Sequence, residues 1–176
     1  MRYVAAVCDR RKYLMERLHR LEQLYVENPV YFVTFCTEDR KAVLVQRSVH
    51  EAFVQFCREA LKRNIFVGRY ILMPDHIHLF VKLPPPSKNL SDWIKSLKNF
   101  LSKALRSSKI AAPHWQKGFF DHILRSTESY SKNWLYMVEN SVRAGLVTDW
   151  PQWPYQGEIQ PLRLNERLRR SQTAAT

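Results

Sequence analysis

The sequence predicts an α+β domain: a ferredoxin-like βαββαβ antiparallel sheet with an additional C-terminal helix carrying a tyrosine. Three observations predict it. Short β-branched and aromatic runs alternate with longer stretches whose apolar residues recur every three or four positions. Two of those runs, Ile65 to Met73 and His76 to Leu83, are separated only by Pro74-Asp75, the spacing of a hairpin. The segments follow one another as strand, helix, strand, strand, helix, strand, and then a further helix.

Residues 1–28 set Tyr13, Leu14, Leu18, Leu21 and Leu24 among Arg and Glu, the pattern of an amphipathic helical extension ended by Asn28-Pro29. Val30-Tyr31-Phe32-Val33-Thr34-Phe35-Cys36 reads as an inner strand. Ser48 stands three residues before Glu51, a capping-box signature, and Val49, Phe53, Phe56, Cys57, Ala60 and Leu61 continue at helical spacing to about Asn64. After the hairpin, Pro84-Pro85-Pro86 breaks the chain, and Asn89 or Ser91 caps a helix striped by Trp93, Ile94, Leu97, Phe100, Leu101, Ala104 and Leu105. Its other face holds Lys95, Lys98, Ser102, Arg106 and Lys109. Trp115 to Leu124 reads as a fourth strand. Thr127 then caps a last helix from Glu128 to about Ala144, stopped by Gly145. One domain is expected over 29–155, followed by a basic, flexible tail over 156–176.

Composition narrows the class of function. The 176 residues are 45% hydrophobic and 25% charged, which excludes wholesale disorder. No apolar run approaches the roughly 20 residues of a membrane span, and the charged start leaves no room for a secretory signal, so a cytoplasmic protein is expected. The formal net charge of +12 attracts polyanions, and nucleic acid is the commonest one inside a cell. The three cysteines, Cys8, Cys36 and Cys57, form no CxxC pair, so reduced thiols are expected rather than a disulfide framework or a thiolate zinc site.

Two groups of residues carry chemistry. Alternation along the third strand puts His76, His78, Phe80 and Lys82 on one face and Ile77, Leu79, Val81 and Leu83 on the other, the core face. Two imidazoles on one side of a sheet are close enough to share a divalent metal, although chance or a packed pair explains most bare H-x-H tripeptides. On the last helix Tyr136 and Asn140 are four apart and share a face, with Lys132, Glu139 and Arg143 around it and Trp134, Met137 and Val138 toward the packed side. That set suits a nucleophile, a metal ligand and phosphate-binding cations; a solvated surface tyrosine is the alternative.

Four segments in order resemble a known family: Tyr31-Phe32-Val33-Thr34-Phe35, Met73-Pro74-Asp75-His76-Ile77-His78-Leu79, Trp115 to His122, and Tyr136 to Val147. Together they resemble the single-tyrosine HUH transposases, and most closely the REP-associated tyrosine transposases, over about Val30 to Trp153. The resemblance implies that His76, His78 and Asn140 bind Mg2+ or Mn2+ and that Tyr136 is the nucleophile. It implies a metal-dependent single-stranded DNA endonuclease and strand transferase, acting beside hairpin (REP-like) elements through a 5′-phosphotyrosine. A catalytically silent hairpin-binding regulator on the same fold is the alternative. The chain departs from the family pattern at Ser141, where a proline is usual, and at Leu135, where an aspartate is frequent. Lys95, Lys98, Arg106, Lys109 and Arg143 are the expected phosphate contacts, Trp115, Trp150 and Trp153 the candidates for base stacking. The resemblance leaves a homodimer open, since each chain brings one such tyrosine.

Overall fold

The computed structural model describes residues 29–83, 89–124 and 126–162. The expected N-terminal helix over 1–28 lies outside the described residues, as does the tail beyond 162. The elements are β1 (Val30–Cys36), α1 (Arg47–Ala60), β2 (Phe66–Leu72), β3 (His76–Lys82), α2 (Leu90–Ser107), β4 (Phe120–Leu124), α3 (Thr127–Arg143) and β5 (Gln156–Glu158). The sheet order is β4-β1-β3-β2-β5, with antiparallel neighbours throughout. The first four strands reproduce the expected ferredoxin-like arrangement. β5 is an addition: the segment expected to open a flexible tail at residue 156 instead pairs Gly157 with Tyr70 at the sheet edge.

The two faces of the sheet differ. On one, α1 and α2 cover Val33, Phe35, Ile77, Leu79 and Val81, and Phe53, Ile94, Leu97 and Leu101 fill the space between. This is the core face that alternation assigns to β3. The other face is also covered. There α3 lays Tyr130 and Met137 over Phe32, Ile71 and Phe80, with Trp153 closing the cluster. β3 is therefore buried on both sides, and His76 and His78 lie beneath α3 rather than on an open sheet.

The caps follow local chemistry with two shifts from expectation. α1 starts two residues earlier than the capping box requires. Ser48 lies inside the helix, and Glu51 accepts from Arg47 Nε at 2.7 Å. Asn89 Oδ1 caps α2 through the Ser91 amide, and Ser126 rather than Thr127 caps α3 through the Ser129 amide. Gly145, at φ +68, ends the last helix in the left-handed conformation that glycine adopts without strain. Cys57 is a free buried thiol as expected. Cys36 is disulfide-bonded, against expectation, because spacing along the chain does not say which thiols meet in space. Among the described residues no helix is long and apolar enough to cross a membrane.

Candidate active site

The hairpin between β2 and β3 is tight and pinned. Met73 N donates to His76 O, Leu44 N to Pro74 O, and Thr37 donates to Asp75 O from both its amide and its hydroxyl. Fixing the turn fixes the register, so His78 lies opposite Thr34 of β1 and Ile71 of β2. The two imidazoles sit with ring centres 4.7 Å apart, nearly perpendicular.

Each ring is held through Nδ1. The Asp75 carboxylate lies 2.7 Å from His76 Nδ1. An ionised carboxylate only accepts, so His76 carries its proton on Nδ1 and keeps a lone pair on Nε2. Burial alone would raise the Asp75 pKa, but the hydrogen bond from His76 and the neighbouring Arg40 charge bring it below the usual carboxylate range. Arg40 reaches Asp75 Oδ2 at 2.7 Å from a turn in which Asp39 and Arg40 both have positive φ. Two successive non-glycine residues in that region are strained, of order 1–3 kcal/mol each, and the strain places the guanidinium on Asp75.

His78 is more deeply buried. Its Nδ1 lies 2.6 Å from Thr34 Oγ1, and Asn140 Nδ2 stands 3.4 Å from its Nε2. One assignment satisfies both contacts: Nδ1–H donates to Thr34, and Nε2 accepts from the Asn140 amide. Burial, then the neighbouring His76, Arg40 and Arg143, hold the His78 pKa well below the ordinary imidazole value. Burial likewise lowers His76 against the opposing pull of Asp75. Both rings are thus neutral, with Nε2 unprotonated in each and that of His78 accepting from the Asn140 amide.

α3 closes the site. The Tyr136 ring lies 6.2 Å from the His78 ring, so phenol and imidazoles come together within one chain. Arg143 organises the helix end. Its guanidinium donates to Asn140 Oδ1, to the Tyr136 carbonyl and to Glu139, each at 2.9 Å, and lies 4.9 Å from the centre of the Tyr136 ring. Ser141 stands in the helix with its hydroxyl on Val138 O; the missing proline leaves Asn140 facing His78. Leu135 is exposed on the outside of the helix.

The donors fit a divalent cation: two neutral imidazoles with Nδ1 already engaged, plus the Asn140 carboxamide, whose oxygen accepts from Arg143 and keeps a second lone pair. Among the described residues no cluster of three or more His, Cys, Asp or Glu is present.

The structure gathers His76, His78, Tyr136, Asn140 and Arg143, and separates them from the other expected DNA contacts. α2 packs on the opposite face of the sheet, so Lys95, Arg106 and Lys109 point to solvent on the far side. Lys98 does not reach solvent as expected. Its ammonium donates to Gln116 O at 3.0 Å and Gly118 O at 2.6 Å, and burial lowers its pKa to about 8. Trp115 donates its indole N–H to Lys98 O and Ser102 and packs edge-on against Phe35, Trp153 is buried and donates to Leu72 O, and Trp150 packs edge-on to Trp134. Sequence reasoning missed Thr34, Asp75 and Arg40. Thr34 had a signal, being the one hydroxyl on the strand face shared with Phe32, and Asp75 had its place beside His76; Arg40 had none.

A family model described as "Transposase IS200 like" matches residues 25–134. A Haemophilus influenzae protein provisionally named a REP-associated tyrosine transposase is 25% identical over 144 residues, 74% of this chain and 80% of its own. The Escherichia coli K12 REP-associated tyrosine transposase is 23% identical over 134 residues, 74% of this chain and 77% of its own. A solved structure described as a REP-associated tyrosine transposase bound to a REP hairpin superposes with a TM-score of 0.62 at 20% identity, covering 82% of this chain and 94% of that one, a likeness of fold.

Proposed function

The chain belongs to the transposase IS200 like family, and from that premise we propose that it cuts and rejoins single-stranded DNA beside a hairpin through a covalent bond to Tyr136. The observation that carries this reading is the meeting of Tyr136, His78, His76 and Asn140 on one face of the sheet. The hairpin substrate is supported by the relatives' names and by the DNA in the structurally similar protein. The net charge of +12 supports a polyanionic partner.

In the first step the Tyr136 oxygen attacks the scissile phosphorus. The new O–P bond forms as the bond to the 3′ oxygen breaks, leaving the 5′ phosphate on tyrosine and a free 3′ hydroxyl. The phenol loses one proton and the departing oxygen gains one. The ester conserves the bond energy, so a 3′ hydroxyl can reverse the step and join strands without a nucleotide cofactor.

His76, His78 and Asn140 would hold Mg2+ or Mn2+, which when bound supplies Lewis-acid polarisation of the phosphate. Asp75 and Thr34 keep the two imidazoles in the ligating tautomer. Arg143 steadies the Asn140 and Tyr136 backbone and side-chain positions and adds a fixed positive charge beside the nucleophile. A single protomer holds the whole set; exchange between two strands would call on a second.

Incubating the protein with a hairpin oligonucleotide bearing a single-stranded flank and Mn2+ tests the proposal. A covalent adduct is expected that survives denaturing electrophoresis and is absent in Tyr136→Phe, whose DNA affinity stays near that of the parent. A Phe variant that still traps labelled DNA would remove Tyr136 from the mechanism. Binding without cleavage under any metal would favour the silent regulator.

A further inference from the structure

The edge strand β4 places an aromatic ring beside the site that the proposed chemistry does not use. Register pairs Phe120 with Thr34, and Thr34 with His78, so all three lie in one row across the sheet on the face beneath α3. The rings continue the row. Phe120 meets Phe32 at 6.5 Å, close to edge-on, and Phe32 stacks on His78 at 5.4 Å. Tyr136 approaches His78 from the helix. Phe120 and Tyr136 thus border the same patch of sheet, one from the edge strand and one from α3.

Phe120 is nonetheless 48% exposed, unlike Phe32 and Phe80 in the same layer, which are buried. Alternation explains its direction but not its residue type: Phe120, His122 and Leu124 face this side, and only Leu124 is buried. An aromatic ring half out of water on an edge strand gains little from packing and invites unwanted association. Two neighbours add to this. His122, the next residue on the same face, is exposed and planar, and Lys117, in the loop before β4, is exposed and cationic. A planar apolar face, beside a cation, next to the groups that engage a phosphodiester, has the chemistry of a stacking platform for an unpaired base.

We propose that Phe120 stacks on the unpaired nucleobase adjoining the scissile phosphate, holding the strand so that the phosphorus meets Tyr136. This rests on the DNA-cleaving function proposed above. Its occupant is a base of the single-stranded flank, because a paired base has both faces covered by its neighbours. Stacking recognises any base, so Phe120 contributes register on the strand rather than sequence choice.

The test uses the full chain and hairpin oligonucleotides carrying 2-aminopurine at successive flank positions. Fluorescence should be quenched on binding at one position above the others. Phe120→Leu should lose that quench and weaken binding of the flanked hairpin roughly tenfold, with the salt dependence of binding unchanged because no phosphate contact is lost. Phe120→Trp should restore both. Unaltered thermal unfolding of the variants keeps the comparison free of folding effects. If wild type forms the Tyr136 adduct while Phe120→Leu keeps the same quench and affinity, the stacking role is overturned and the cleavage reading stands. If wild type binds no flanked hairpin at all, both fall together.

Discussion

The Thr34 hydroxyl lies 2.6 Å from Nδ1 of His78, across the β1–β3 pair, on the side of the ring away from Asn140. Together with the Asn140 amide at Nε2, that contact puts the proton of a buried imidazole on Nδ1. Thr34→Val keeps the shape and removes the acceptor. It is expected to cost about 1 kcal/mol of stability and to weaken Mn2+ binding measured by calorimetry. Unchanged metal affinity would show that Thr34 only fills space.

Asp75 holds His76 in the same way, with Arg40 holding Asp75. Asp75→Asn offers an amide that can present either its N–H or its oxygen to Nδ1, so the tautomer is no longer fixed. The expected loss in divalent-metal affinity is about 10- to 100-fold, the usual effect of removing such a support. Titration calorimetry without DNA reads it directly, and an affinity within twofold of wild type would contradict the assignment.

Lys98 provides a check on the α2 face. Two carbonyls share its ammonium, so Lys98→Met is expected to destabilise the fold by about 1–3 kcal/mol at neutral pH through orphaned buried acceptors. The salt slope of DNA binding should not change. The sign of the pH effect follows from its lowered pKa of about 8. Between there and the ordinary lysine value near 10.4, the unfolded chain still holds a proton the folded chain has released. Wild-type stability relative to Lys98→Met therefore rises with pH across that window and is flat below it. Urea melts of both proteins at pH 7, 9 and 10.5 measure it; a falling difference would contradict the burial.

Arg143 contacts Asn140, Glu139 and the Tyr136 carbonyl at once. Arg143→Met keeps the stem and removes all three donors. Metal affinity and adduct formation are both expected to fall, with DNA affinity reduced only modestly. Adduct yield equal to wild type would make Arg143 an ordinary surface cation.

The sheet and both long helices were legible because their periodicities are local: alternation on β3 separated Ile77, Leu79 and Val81 from His76, His78 and Phe80, and the structure keeps that division. Tyr136 and Asn140 were legible for the same reason, one helical turn apart. What escaped depends on where faces meet. Lys98 looked like a solvated lysine because nothing in α2 reveals that the loop at Gln116 and Gly118 will pass over it. Arg40 carries no pattern because its direction comes from two left-handed residues in a turn. β5 is three residues long and contains Gly157, too short for any period, and it exists because β2 offers a free edge.

Strand transfer as proposed requires the Tyr136 hydroxyl to attack DNA beside His78. Its most direct measurement is mass spectrometry of the peptide containing Tyr136 after incubation with hairpin DNA and Mn2+. That peptide should carry a 5′-phosphoryl nucleotide fragment through the tyrosine oxygen, with an equal yield of free 3′ hydroxyl. Cleaved DNA with the adduct on any other residue, or with no adduct and a water-derived 5′ phosphate, would contradict it.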